Sequence, residues 1–426
     1  MSRSPVTAVV IGAGHRALCY ADLSRQHPDR LRIVGVADPD PARRRQTAQR
    51  YSFSEDKCFR TAEELAQQPA FADAAINGTM DRDHVPTTLP LLRAGYHVLL
   101  EKPITPIKRE LLDLEGTVRR TGRKVMIGHV LRYAPFYVEI KKRLLAGEIG
   151  RILSIETAEN VSYHHMAVGF VRGKWRNRDS SAPMLLAKCC HDLDLLCWYM
   201  SGIAPQRVAS FGNLMHFRPE NAPPGSGTRC LADCEIEAGC PYSARKNYIE
   251  QNLWGMYAWQ SLEHIEDLAE QKKIESLKSD NPHGRCVWRC DNDVVDHQSV
   301  IVEYADGVVA THNMFANTSR PCRTIHIVGT AGEIRGAMED GHFFIHKPDA
   351  RAGHEFSEER IDINVSNDMH GGGDMRLADD FVRVVSGRNG SISSTDIHDS
   401  IHGHMIAFAA DDSMLQKRMI ELNDIQ

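Results

Sequence analysis

Eleven residues, K-C-C-H-D-L-D-L-L-C-W from Lys188 to Trp198, concentrate one lysine, three cysteines, one histidine and two aspartates in an otherwise apolar run. Three chemistries compete for them: a metal site, a thiol redox site, or the acid/base face of an active site. Helical spacing separates these readings, because residues three, four and seven apart share a face. Lys188, His191 and Asp194 then form one polar stripe, continued by Leu195 and Trp198. Cys189, Cys190 and Cys197 lie off it and read as packing residues. His191 is the candidate catalytic base, since an imidazole titrates near neutrality and can take a hydroxyl proton. Lys188 and Asp194 are candidate substrate neighbours.

The second reactive candidate is Lys102, in the run H-V-L-L-E-K-P from His97 to Pro103. It follows directly on a β-rich run, and ligands of open α/β sheets bind outside the carboxyl ends of the strands. A third feature is the glycine turn Gly12-Ala13-Gly14-His15-Arg16-Ala17, the G-x-G-x-x-A form of the dinucleotide fingerprint. Gly12 makes the tight turn, Gly14 lets a pyrophosphate approach the backbone, and Ala17 keeps the following helix close. Asp38 ends the next β-rich run, placed to accept hydrogen bonds from a ribose diol and to repel a 2′-phosphate. NAD is therefore expected over NADP, with Arg43 to Arg45 partly offsetting that repulsion.

These residues need elements to hold them. Runs at 8–14, 31–38, 73–79, 97–103 and 124–129 read as strands with helical stretches between them, which predicts a parallel sheet covered on both faces. The dinucleotide domain is expected over 1–130. The remainder, 131–426, carries β-rich runs at 151–163, 299–316 and 323–338, with Asp306-Gly307 as a hairpin turn, and a long helix at about 396–415. The fold class is α/β plus α+β: a Rossmann domain followed by an open, mostly antiparallel sheet. A polar, cysteine-containing insert is expected at about 215–295. There Cys230, Cys234 and Cys240, with Cys290 or Cys286 as a fourth, could hold a structural zinc, with free buried thiols as the alternative.

Composition narrows the function. The 426 residues carry a formal charge of -5, which argues against nucleic acid as a partner. No apolar run approaches the roughly 20 residues that span a bilayer. The N-terminus enters a strand directly and lacks the apolar core of a leader, and the eleven cysteines read as reduced thiols. A cytoplasmic location is the expectation.

The E-K-P turn, the V-A-D-P-D-P-A-R-R run from Val36, G-H-V-L-R-Y-A-P-F-Y from Gly128 and C-H-D-L-D-L-L-C-W from Cys190 together resemble the Gfo/Idh/MocA family of sugar and cyclitol oxidoreductases. The resemblance implies that Lys102 and His191 handle the substrate hydroxyl proton and that Pro103 follows a cis peptide. It implies a cofactor site at Gly12, Gly14, His15, Arg16, Asp38, Arg43, Thr79, His84, Glu101, Lys102 and Arg132. It also implies a homo-oligomer, dimer or tetramer, built through the outer face of the second sheet. Many relatives carry an aspartate four residues before the histidine; here Ala187 stands there, and Lys188 is expected to fill its space and lower the His191 pKa.

Between the two domains' motifs, Tyr163, His165 and Trp175 offer aromatic faces for a sugar. Arg172, Lys174, Arg176 and Arg178 are four cations that could bind an anion, with a solvated basic loop as the alternative, and His370 opens a late helix that could close over the site. The leading expectation is an NAD-dependent enzyme moving hydride between a sugar ring carbon and nicotinamide. One alternative is a redox-neutral glycoside hydrolase that oxidises, eliminates, adds water and re-reduces, acting on an acidic sugar such as a sulfosugar or uronide. Another is a non-catalytic NAD-sensing regulator.

Overall fold

The computed structural model describes residues 4–263, 265, 267–364 and 369–422. Six parallel strands form the first sheet: β1 (Val6–Ile11), β2 (Leu31–Ala37), β3 (Cys58–Phe59), β4 (Ala74–Asn77), β5 (His97–Leu100) and β6 (Val125–Ile127). Their order is 3-2-1-4-5-6. β4 and β6 are buried at every position, and β5 at all but its first, which explains why they read as continuous apolar runs rather than alternating ones. The order reverses beside β1, the switch point at which such sheets open a crevice at their carboxyl ends. Gly12, Thr79 and the Glu101-Lys102 turn all leave the sheet there.

Nine strands form the second sheet: β7 (Ile152–Ser162), β8 (Pro205–Asn213), β9 (His297–Tyr304), β10 (Val309–Thr318), β11 (Cys322–Gly329), β12 (Glu333–Ala337), β13 (His342–Pro348), β14 (Phe356–Asp362) and β15 (Ile420–Glu421), ordered 14-13-12-11-7-10-9-8-15. All neighbours are antiparallel except β7 and β10. The expected turn at Asp306-Gly307 joins β9 to β10, with Gly307 at φ +85°. β9 alternates buried and exposed residues, because one face meets helices while the other carries Leu153, Phe211, Ile301 and Phe315 outward.

Four helices position the site: α1 (His15–Ala21), α2 (Met184–Tyr199), α3 (Gly373–Val385) and α4 (Ile397–Gln416). Every residue of α2 except Lys188 is buried. It packs on the second sheet and on α4, where a side chain at Gly403 would meet the Asp194 backbone at 3.0 Å. Among the described residues, no helix is long and apolar enough to cross a membrane.

A buried ion pair joins α2 to the segment that follows β6. Arg132 donates from Nε and Nη2 to the two Asp194 oxygens, each at 2.6 Å, and His129 Nδ1 lies 2.8 Å from Asp194 Oδ1. All three side chains are 1% exposed. Asp194 was expected at the substrate and Arg132 at the cofactor; instead each satisfies the other, because α2 has no solvent-facing side for a polar stripe to occupy. Arg172, also expected at the substrate, is fully buried and donates to the Arg285 and Tyr242 carbonyls and the Tyr248 hydroxyl. It anchors the 215–295 segment.

Arg132 and His129 hold the Asp194 carboxyl down at about 2, against burial, which pushes it up. That stability is complete above the unfolded carboxyl's pKa of about 3.9 and disappears as pH falls toward 2. Asp194→Ala leaves Arg132 charged and unpaired in the core and is expected to cost roughly 3–5 kcal/mol in urea denaturation at pH 7. The same substitution measured near pH 2 is expected to cost clearly less.

Candidate functional site

The Glu101-Lys102-Pro103 turn is built around one buried carboxylate. Glu101 Oε1 accepts from Arg16 Nε at 2.6 Å and from the Tyr20 hydroxyl at 2.8 Å, and Oε2 accepts the Lys102 backbone N–H at 2.6 Å. Burial pushes the Glu101 pKa up, but Arg16 and Lys102 outweigh it and hold it below its ordinary value. The Lys102–Pro103 peptide is cis, as the resemblance implied. His84 ties this turn to the β4 loop: its Nδ1 lies 2.6 Å from the Pro103 carbonyl oxygen and its Nε2 3.1 Å from that of Thr79.

Lys102 Nζ donates to the Ala187 carbonyl on α2 at 3.3 Å. Burial opposes its charge, yet Cys190, Glu101, Asp81 and Tyr257 together raise its pKa above the ordinary lysine value. Cys190 is itself pushed up to about 12 by burial and is an uncharged thiol at neutral pH. The Glu101 and Asp81 carboxylates therefore hold the ammonium.

His191 is 3% exposed, and neither ring nitrogen has a hydrogen-bond partner among the described residues. Burial, then the charge of Lys102 and the neighbouring His370, His129 and Arg323, push its pKa well below the ordinary value. His191 is a neutral imidazole with both nitrogens free, beside a lysine that stays charged. His370 stands 5.6 Å from it, ring to ring, and its Nδ1 lies 3.2 Å from Asp374 Oδ2, which pairs through Oδ1 with Arg16. His370 thus lies against His191, and the Asp374–Arg16 bond ties the start of α3 to α1.

Lys188 does not stand beside His191. It pairs with Glu159 on β7 at 2.8 Å, on the sheet side of α2, and Lys102 supplies the positive charge expected of it. Cys190, expected only to pack, lies beside Lys102.

A cavity of about 350 Å³ opens next to Lys174, Trp175, Arg176 and Tyr257. Trp175 Nε1 donates to Asp81 at 2.9 Å and its ring meets Tyr257 edge-on. Lys174 Nζ lies 4.6 Å from the centre of the Trp175 ring. Three of the four cations of this loop are engaged elsewhere, since Arg172 is buried, Arg176 pairs with Asp291 and Arg178 with Asp411, which leaves Lys174 at the cavity. Tyr163 packs against Tyr242, and His165 stacks on Trp254 at 4.1 Å. Asp81 and Tyr257 escaped the sequence reading. Asp81 lies just past β4, where a carboxyl-end loop was a usable signal; Tyr257 sits in the insert, where there was none.

The glycine turn fits a dinucleotide. Gly12 has φ +70°, and a Cβ there would lie 2.9 Å from the Thr79 backbone, whereas Gly14 has open space around it. Asp38 is 3% exposed and accepts from the Ala13 and Asp40 N–H groups, each at 2.8 Å. Arg44 donates to the Asp38 and Pro39 carbonyls, and Arg43 is held by Glu263 of the insert. His15 opens α1 at an exposed position, its pKa lowered first by desolvation and then by Arg16.

The proposed cysteine site is not assembled. Among the described residues, Cys230, Cys234, Cys240 and Cys290 do not bring three sulfurs within ligand distance of one another. Cys230 Sγ is held by Arg172 Nη2 at 3.3 Å, and Cys290 Sγ by the Cys286 carbonyl at 3.2 Å.

Residues 6–129 match a family described as an oxidoreductase family with an NAD-binding Rossmann fold, and residues 137–335 match the Gfo/Idh/MocA C-terminal domain. A Bacillus subtilis protein named "Putative oxidoreductase YteT" is 26% identical over 82% of this chain and 81% of its own. Inositol 2-dehydrogenase 4 of Saccharopolyspora erythraea is 28% identical over 56% of this chain and 66% of its own. A levoglucosan dehydrogenase solved with NADH shares the fold, with a TM-score of 0.70 at 16% identity over 98% of this chain and 99% of that one.

A base whose pKa lies well below 6.5 keeps its free form through mildly acidic pH. The acidic limb of the kcat/KM profile assigned to His191 is accordingly expected well below pH 6.5, and a limb at or above 6.5 contradicts this environment. Lys102→Met is expected to move the His191 titration upward in an NMR pH series, since one of the charges lowering it is gone.

Proposed function

The chain belongs to the Gfo/Idh/MocA oxidoreductase family, and on that premise we propose that it oxidises a ring hydroxyl of a sugar or cyclitol with NAD. The observation that carries this reading is the neutral His191, buried with both nitrogens free, beside the Lys102 ammonium. The bound nicotinamide supplies the hydride acceptor. Gly12, Gly14 and Thr79 would cradle the pyrophosphate, with Asp38 at the ribose. NAD is preferred because the Asp38 carboxylate repels a 2′-phosphate, while Arg43 and Arg44 are engaged elsewhere.

The residues divide the proton work. Lys102 hydrogen-bonds the substrate hydroxyl and stabilises negative charge developing on its oxygen. His191 takes the hydroxyl proton, and its unpartnered nitrogens need break no existing bond to do so. In the reverse direction the same pair returns the proton. The cavity beside Lys174 has flat apolar faces from Trp175 and Tyr257, suited to a sugar ring. The engaged arginines supply no anion site, so a neutral substrate is favoured over a sulfonate or uronate.

The outer face of the second sheet supports self-association, since Phe211 is 77% exposed beside Ile301 and Phe315. Phe211→Asp is expected to shift the protein toward monomer in sedimentation velocity; a monomeric parent protein contradicts the assignment.

Incubation with NAD and a panel of inositols and neutral sugars is expected to accumulate NADH. Lys102→Ala is expected to lower kcat about 10²–10⁴-fold with NAD affinity retained. Sugar release from a glycoside with catalytic NAD and no net NADH would replace this reading by the redox-neutral hydrolase. NAD binding without turnover of any sugar, cyclitol or glycoside would replace it by a sensor.

A further inference from the structure

Behind His191, on the side of α2 that faces the second sheet, three buried side chains converge. Cys189 Sγ, a carboxylate oxygen of Asp192 and a ring nitrogen of His312 on β10 lie within 4.8 Å of one another. Cys189 and His312 are fully buried and Asp192 is 4% exposed. Among the described residues, Asp192 Oδ2 and His312 Nε2 have no hydrogen-bond partner. Leaving such groups unsatisfied in a core is costly, so their convergence calls for an occupant. From this geometry we propose that Cys189, Asp192 and His312 form a binding site for a zinc-class divalent transition metal ion.

The surrounding bonds prepare each ligand. The Thr157 hydroxyl donates to the Thr311 carbonyl at 3.3 Å, so its oxygen accepts from His312 Nδ1–H at 2.9 Å. That fixes the tautomer and leaves a lone pair on Nε2, the arrangement by which outer residues orient metal-bound histidines. Arg323 Nε holds Asp192 Oδ1 at 3.0 Å and leaves Oδ2 free. Burial keeps the His312 pKa low, hence the ring neutral, and pushes the Cys189 thiol well up, so metal uptake releases the Cys189 proton.

The local charge accommodates the ion. Lys188 and Arg323 face Glu159 and Asp192. A divalent ion with a thiolate adds one positive charge, and Glu339, which accepts the Arg323 backbone N–H at 2.7 Å, supplies a third carboxylate nearby. One sulfur, one nitrogen and one oxygen form a donor set that zinc takes at tetrahedral sites, with water as fourth ligand. The ion would clamp α2 to β10 one residue away from His191.

The full-length protein, stripped with chelator, is titrated with Co(II) and separately with Zn(II). One equivalent is expected to bind, with a thiolate-to-cobalt absorption and a rise in the thermal midpoint. Cys189→Ser and His312→Ala are expected to abolish that absorption, and Thr157→Val to weaken affinity about 10–100-fold. NAD affinity, measured on each variant, reports that it is folded. Cys240→Ser is expected to leave the absorption intact. The proposal is overturned if the parent protein takes up neither ion, the pocket then holding water only, or if the absorption survives Cys189→Ser and is lost in Cys240→Ser. Should both single-residue variants lose NAD binding, the parent's cobalt spectrum decides alone: one thiolate among its ligands sustains the proposal, and several overturn it.

Discussion

The Glu101 carboxylate is the group on which the arrangement of the site depends. It is 4% exposed and stays charged because Arg16 and Lys102 outweigh the burial. One oxygen collects α1 through Arg16 and Tyr20, and the other fixes the turn that presents Lys102. Arg16 then reaches Asp374 at the start of α3, and Asp374 holds His370 beside His191. A single buried anion thus joins the dinucleotide domain, the reactive lysine and the late helix. A neutral amide at position 101 could preserve the shape, but it would remove the charge that compensates Arg16 and supports the Lys102 ammonium.

Helix α2 is the second organising element, and its burial on all sides explains how it works. A helix with a solvent face gathers its polar residues into one stripe. α2 has no such face, so each polar residue needs its own buried partner. Asp194 turns to Arg132 and His129, Lys188 to Glu159, and Asp192 to Arg323. His191 alone among these is left without a hydrogen bond, and it points where the Lys102 turn arrives. The partners of its neighbours fix the backbone of α2, and with it the imidazole's position.

The strands and the glycine turn were legible because local chemistry dictates them; the cis peptide and the proposed pair Lys102 and His191 came with the family resemblance. Continuous apolar runs, a G-x-G-x-x-A turn and E-K-P carry their meaning over a few residues. What escaped depends on residues distant in sequence. Spacing on α2 grouped Lys188, His191 and Asp194 on one stripe, yet it could not show that β7 draws Lys188 to Glu159 on one side and that the 129–132 segment draws Asp194 to Arg132 and His129 on the other. The basic loop read as an anion site because its partners, Asp291, Asp411 and the Arg285 carbonyl, lie more than a hundred residues away. Asp306-Gly307 was found and β8, β13 and β14 were not, since a two-residue turn signals itself and an amphipathic strand does so weakly.

Position 187 shows how one side chain redistributes proton affinity. The Lys102 ammonium meets the Ala187 carbonyl, a neutral dipole, at the position where the family resemblance led to the expectation of an aspartate. A carboxylate there would draw on Lys102 and raise the proton affinity of His191. With alanine in place, Lys102 relies on Glu101 and Asp81, and its charge acts on His191 without an intervening anion. The base is then free over a wider range of pH but weaker, since a low pKa lessens the drive to take a proton. Under the proposed mechanism more of the stabilisation of the substrate oxygen would fall to the Lys102 ammonium. The same turn that holds Glu101 would then bear a larger share of that proposed chemistry than His191.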